Sequence, residues 1–282
     1  LVAVVDSGID YTHADLATNY VPLGYDWVNN DTDPIDDRGH GTHCAGIIAA
    51  SLNNSIGIAG LAQVRIMAEK VLTREGWGYD FWVAQGIIHA TDQGAKIISM
   101  SLGSPEYSQL VHDAVKYAYD HGVLLVAAAG NSRDDWKNYP AAHEEVIAVS
   151  ATNSSDQIAR FSSFGNWIGL SAPGVNIFST ILSNSYASRN GTSMACPHVT
   201  GAAALAWSVF PDYTHDQIRF LLQQTSDDLG DVGFDKYYGW GRINARKAVA
   251  GLPEHDMGIT RLEHPDRIDP GQLGMFNATV SN

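Results

Sequence analysis

Leu1-Val2-Ala3-Val4-Val5-Asp6-Ser7-Gly8 begins as five apolar residues and stops at an acid, a serine and a glycine. A run of that length, rich in β-branched valine, predicts a strand buried on both faces, with the polar residues at its carboxyl end. Similar apolar runs recur at 66–71, 97–101, 123–128 and 146–150, while 79–91 and 110–119 carry apolar residues at helical spacing. Strands that alternate with helices imply an α/β chain: a mainly parallel sheet covered on both faces, in three α/β/α layers.

In open parallel sheets, functional groups gather beyond the carboxyl ends of the strands. Three of the runs lead into small or polar residues there: Asp6-Ser7-Gly8, Ser101-Leu102-Gly103 and Gly130-Asn131. These three ends are expected to share one rim. Two further helices are expected over 42–50, directly after His40, and over 193–210, with Pro197 early and an Ala-rich apolar body. An amphipathic helix at 216–224 and a short one near Ala245 close the domain around Gly251.

The 282 residues include 17 Lys and Arg against 31 Asp and Glu, a formal charge of -14 that argues against a nucleic-acid partner. No apolar stretch is long enough to span a membrane, and no signal peptide opens the chain. A strand that begins at Leu1 suggests a longer native chain, with any signal or pro-segment outside this sequence. After Leu252 the pattern shifts to alternating apolar positions with a turn at Pro270-Gly271, so 1–252 is expected to be one domain and 253–282 the first strands of a β-sandwich module or a linker.

Acyl transfer by a serine requires a base within hydrogen-bond reach, an acid that orients the base, and donors for the oxyanion. Ser193, in Asn190-Gly191-Thr192-Ser193-Met194-Ala195, sits where a turn enters a helix and is either a nucleophile or a helix cap. His40, in Gly39-His40-Gly41-Thr42-His43, is either a base or, with His43, half of a metal site that lacks its other ligands. Asp6 at the end of a buried strand orients a histidine or accepts structural hydrogen bonds.

The order Asp, His, Ser and the four motifs VVDSGID, HGTHCAG, AAAGNS and NGTSMACPHVTG resemble the subtilisin family, or subtilases, over about residues 1–251. The resemblance implies an extracellular serine endopeptidase of broad specificity, made with a pro-segment that inhibits it. In it Ser193 attacks the scissile carbonyl, His40 shuttles the proton, Asp6 holds the imidazole, and the Asn131 amide with the Ser193 N–H binds the oxyanion. His43 is implied to be a structural neighbour. The segments Gly76-Trp77-Gly78 and Ser101-Leu102-Gly103 match the edges between which an extended polypeptide pairs, and Ala128, Gly130 and Asn138 match the wall of the pocket beside the scissile bond. A narrow processing protease and an inactive binding scaffold are the alternatives.

The resemblance also implies structural Ca2+, held by Asp15, Asn54 and the carbonyls of Leu52, Ile56 and Ile58. A second acidic run, Asp26 to Asp37, is either another calcium loop or a solvated surface. The two cysteines, Cys44 and Cys196, are expected as buried thiols, and the thermitase and proteinase K branches carry a cysteine where Cys44 stands.

Overall fold

The computed structural model describes residues 1–252, and the expected module at 253–282 lies outside them. Strands β1 (Val2–Asp6), β2 (Tyr25–Asp26), β3 (Ile66–Lys70), β4 (Ile97–Met100), β5 (Leu124–Ala128), β6 (Val146–Thr152) and β7 (Leu170–Pro173) form one sheet. Its order is β2-β3-β1-β4-β5-β6-β7, and every neighbouring pair is parallel. A separate antiparallel hairpin joins β8 (Ile177–Ile181) to β9 (Ser185–Arg189). The helices are α1 (His40–Ala49), α2 (Asp80–Asp92), α3 (Gln109–Asp120), α4 (Thr192–Val209), α5 (His215–Gln224) and α6 (Ala245–Ala250). Strands β2, β7, β8 and β9 lie beyond those expected from the apolar runs.

The period of two along each strand divides the interior into two cores. Val2 and Val4 of β1, Leu124 and Val126 of β5, and their neighbours pack with Ile47 and Ile48 of α1 and Val199 and Ala202 of α4. The alternate residues Ala3, Val5, Leu125 and Ala127 pack with Val83 and Ile87 of α2 and Val111 and Val115 of α3. Both faces of the sheet are therefore covered, which is why the strands read as continuous apolar runs rather than alternating ones.

Helix α4 begins at Thr192, so Pro197 lies early in it, in the second turn. A proline there has no N–H to give the carbonyl four residues back. That carbonyl belongs to Ser193, and it accepts instead from Ser101 Oγ at 2.8 Å and Cys44 Sγ at 3.4 Å. The proline thus releases an acceptor that fastens α4 to the end of β4 and to α1.

Lys70 closes β3 beside Asp6 and is 1% exposed. Its Nζ donates to the Ser7 carbonyl at 2.9 Å and to Asp37 Oδ1 at 2.6 Å, tying the turn after β1 to the segment before α1. Replacing the ammonium by a methyl thioether leaves the Ser7 carbonyl without that donor. Lys70→Met is expected to lower unfolding stability by about 1–3 kcal/mol, measured by chemical denaturation in a Ser193→Ala background.

Candidate active site

The chain passes from β1 to β3 on one side and then crosses to β4 on the other, so the sheet's switch in direction lies between β1 and β4. A crevice opens beyond their carboxyl ends at such a point. Asp6 and Ser101 stand on its two sides, and Asn131 follows the next strand, β5; the three expected strand ends do share one rim.

Asp6 is fully buried. Its Oδ1 accepts the Ser7 N–H at 2.7 Å, and both carboxylate oxygens meet His40 Nδ1, at 2.7 and 3.0 Å. A carboxylate only accepts, so Nδ1 carries the proton in the neutral ring and Nε2 keeps its lone pair. Burial pulls the His40 pKa down, but the charge and hydrogen bond of Asp6 outweigh it, against Arg189 and Arg38, and leave the pKa raised above 6.5.

His40 is the first residue of α1, after Gly39 in the left-handed region at φ 82°. The helix start is held by Asp36, whose role the sequence did not reveal. Its Oδ1 accepts from the N–H groups of Arg38 and Gly39 and from Ser7 Oγ, each at 2.9 Å. Its Oδ2 accepts from the N–H and hydroxyl of Thr42 at 2.9 and 2.6 Å. One buried carboxylate so takes the orphan Thr42 N–H and the two N–H groups that lead into the helix, while Ser7 Oγ, itself bonded to Asp36, takes the Gly41 N–H at 3.0 Å. The next residue, Gly41, allows this approach: a Cβ there would stand 2.1 Å from the Gly8 carbonyl oxygen.

His43 is buried, and its Nε2 reaches the carbonyls of Ile177 and Ala187 at 3.1 and 3.0 Å. Burial, opposed by those bonds, lowers its pKa to about 4. It braces the β8–β9 hairpin, and among the described residues no cluster of possible metal ligands joins it to His40. Cys44 and Cys196 are free and buried; burial raises both thiols, Cys196 to about 11.

Ser193 lies in the first turn of α4, and its Oγ donates to the Ser101 carbonyl at 3.2 Å rather than to His40. Asn131 turns its Oδ1 to the N–H and hydroxyl of Thr192, at 2.9 and 3.1 Å. Its Nδ2 is thereby directed away from Thr192 as a spare donor. A Cβ on Gly191 would stand 3.6 Å from the Ser193 nitrogen and 3.8 Å from Asn131 Nδ2, so the absence of a side chain leaves open the space that both donors border.

A cleft of about 590 Å³ is lined by His40, Ser193 and Asn131 together with Gly76, Gly78, Ser101, Leu102, Gly103, Ala128, Gly130 and Asn138. The Asn138 amide lies against Gly103, where a Cβ would meet its Nδ2 at 2.2 Å, and donates to the Ala128 carbonyl at 3.4 Å. Trp77 is the exception among the expected contacts. It is half exposed, does not line the cleft, and packs against Tyr79 and Trp82.

The model of the subtilase family matches residues 1–241. The chain belongs to the subtilase family. It is 46% identical over 249 residues to a thermophilic serine proteinase of Bacillus sp. (strain AK1), covering 88% of this chain and 61% of that one. It is 45% identical over 249 residues to thermitase of Thermoactinomyces vulgaris, 88% of each. It is also 45% identical over 254 residues to subtilisin E of Bacillus subtilis (strain 168), 88% of this chain and 65% of that one. By family this subtilase is a serine endopeptidase.

The donors around Asp15 test the calcium expectation. Asp15 is fully buried, and its carboxylate accepts from Asn54 Nδ2 at 2.6 Å, Ile58 N–H at 2.9 Å and Tyr186 OH at 3.1 Å. Among the described residues no backbone N–H donates to the carbonyls of Leu52, Ile56 or Ile58. A carboxylate with free carbonyls fits a hard cation. Asn54 departs from the expected set, because its Oδ1 accepts the Ile56 N–H at 3.1 Å, and it must turn its amide to become a ligand. The second acidic run does not converge. Asp26 accepts from Val28, Asn29 and the Asn29 amide, Asp33 from Tyr11, Asp36 caps α1 and Asp37 pairs with Lys70.

Asp36→Ala removes a cap and leaves several buried donors unpaired. Its expected cost is about 2–4 kcal/mol of unfolding stability, read by denaturation in a Ser193→Ala background, together with a fall in peptidase activity measured in the otherwise native chain.

Proposed function

We propose that this subtilase hydrolyses peptide bonds through an acyl-enzyme in which Ser193 is the nucleophile, His40 the general base and then acid, and Asp6 the orienting carboxylate. The observation that carries the reading is the Asp6–His40 pair opening onto the same cleft as Ser193. Rotation of Ser193 about χ1 releases Oγ from the Ser101 carbonyl and offers its proton to His40 Nε2. Oγ bonds to the scissile carbon, the carbonyl electrons pass to oxygen, and the oxyanion takes hydrogen bonds from the Ser193 N–H and Asn131 Nδ2. The imidazolium, held by Asp6, returns the proton to the leaving amine. Water then repeats the sequence and frees the acid.

The cleft between Gly76–Gly78 and Ser101–Gly103 suits an extended polypeptide paired as a strand, and its mixed wall of Ala128, Gly130 and Asn138 suits broad specificity. Secretion, a pro-segment that occupies this cleft as inhibitor, and calcium on Asp15 and the 52–58 loop complete the proposal. No helix of the described residues is long and apolar enough to cross a membrane. Calcium there would neutralise a buried carboxylate and fix the loop; it enters no chemical step.

A fluorophosphonate probe is expected to label Ser193 in the calcium-loaded chain, as mapped by peptide mass spectrometry, and to leave Ser193→Ala unlabelled. Labelling is expected to weaken under chelator. A folded, calcium-loaded protein that resists the probe would overturn the mechanism in favour of a binding scaffold.

Because His40 must be neutral to accept a proton and its pKa is raised, kcat/KM is expected to fall with pH on a limb whose midpoint lies above 6.5. In Asp6→Asn the raising influence is gone, so that limb should move to lower pH while kcat drops by about 10⁴. A limb that stays in place would detach Asp6 from His40.

A further inference from the structure

On the outer side of the cleft wall, away from Ser193, three metal-ligating side chains meet that the proteolytic reaction does not use. His112 projects from α3, and His143 and Glu145 come from the turn that leads into β6, where the His143 N–H donates to the Pro140 carbonyl and the Val146 N–H to the His143 carbonyl, both at 3.1 Å. One ligand atom from each lies within 4.8 Å of the other two. His143 is 6% exposed, and its Nε2 is buried without a hydrogen-bond partner; the same is true of Glu145 Oε2. The third atom, His112 Nε2, stands 3.5 Å from Glu145 Oε2.

The proton on His112 is placed by a chain of acceptors. Gln109 Nε2 donates to Asp113 Oδ1 at 2.8 Å, which turns Gln109 Oε1 toward Tyr107; the Tyr107 hydroxyl gives its one proton to that oxygen at 2.9 Å. Tyr107 has none left for His112 Nδ1, also 2.9 Å away, so Nδ1 must donate. The neutral His112 therefore holds its lone pair on Nε2, facing a carboxylate oxygen that has only lone pairs. Glu145 Oε2 and the lone pair of the neutral His112 ring converge beside an unpartnered His143 Nε2, an arrangement that a cation satisfies, and a second residue that fixes the tautomer of a ligating histidine is the usual support of a metal site.

We propose that His112, His143 and Glu145 bind a divalent transition metal ion of the zinc class, with water completing the shell. Two imidazoles and a carboxylate suit zinc better than the hard cations that oxygen-only loops prefer. The two imidazole rings are stacked, 4.2 Å apart and 4° from parallel, so they lie face to face and not around a common centre. Coordination requires one ring to swing out of the stack. His112, with its side chain 25% exposed, has the room to tilt about its Nδ1 bond to Tyr107 without breaking it, and solvent reaches the ion past it.

The ion would cross-link α3 to the segment after Tyr139. The backbone of Tyr139 pairs with Ser104 in both directions, at 2.9 and 2.8 Å, next to the Ser101–Gly103 edge of the cleft. The metal thus braces the wall of the cleft from behind without touching the reacting atoms.

The test is a Co2+ titration of the calcium-saturated Ser193→Ala chain, followed by Zn2+ displacement and calorimetry. One equivalent of Co2+ with visible absorption, displaced by Zn2+, is expected. Glu145→Gln, which removes a ligand, and Tyr107→Phe, which leaves all three ligands but loosens the His112 tautomer, should each weaken binding by at least about tenfold. Tyr107 is half exposed, so its loss should leave the fold intact. Absence of saturable binding would identify the trio as a proton-sharing His–Glu pair and overturn the proposal. Binding of equal strength in both variants would place the ion elsewhere and overturn it too.

Discussion

The carbonyl of Ser193 is the joint on which the active region is assembled. Pro197 denies it a helical partner, and Ser101 Oγ and Cys44 Sγ take that place. Helix α4, the end of β4 and helix α1 are therefore pinned at one atom, beside the hydroxyl proposed as nucleophile. Position along α4 is what sets the distance from Ser193 to the cleft. A helix that slid by one residue would break both bonds at once.

Around that joint, charge is buried only where it is matched. Asp6 is held by His40 and the Ser7 N–H, Asp36 by the first turn of α1, and Lys70 by Asp37 and the Ser7 carbonyl. These three groups meet around the short turn Ser7-Gly8. A carboxylate at the end of a buried strand is costly unless its partner is fixed in place. Here the partner is fixed by another buried ion, and the cost is spread over hydrogen bonds to backbone rather than concentrated in one pair.

The sheet's central strands were legible because burial on both faces makes them continuous apolar runs. The edge strand β2, with two residues, is too short to carry a pattern. The hairpin β8–β9 is half exposed and rich in serine, and its turn at Ser183 and Asn184 relies on left-handed backbone that a composition search passes over. The His, Ser and Asp positions could be read from their glycine-flanked motifs. Asp36 could not, since a cap and a surface acid look alike until the helix that needs it is known. Lys70 gave no signal at all within an apolar run. Trp77 sits in a matching segment, yet its ring is drawn out of the cleft by neighbouring aromatics, a matter of side-chain packing that sequence does not encode locally.

The division of the interior by the sheet sets different parts of the cleft on different cores. One core holds Met194, Ala195, Cys196 and Cys44 around the start of α4, together with Ala128 of the cleft lining; the other holds Val83, Val111 and Ala129, with Leu102 at its margin. The two are bridged beyond the strand ends, where Ser101 Oγ holds the Ser193 carbonyl at 2.8 Å. The wall of the cleft and the start of α4 are thus mechanically coupled, and drift that displaces Ser101 also displaces the helix end that carries Ser193.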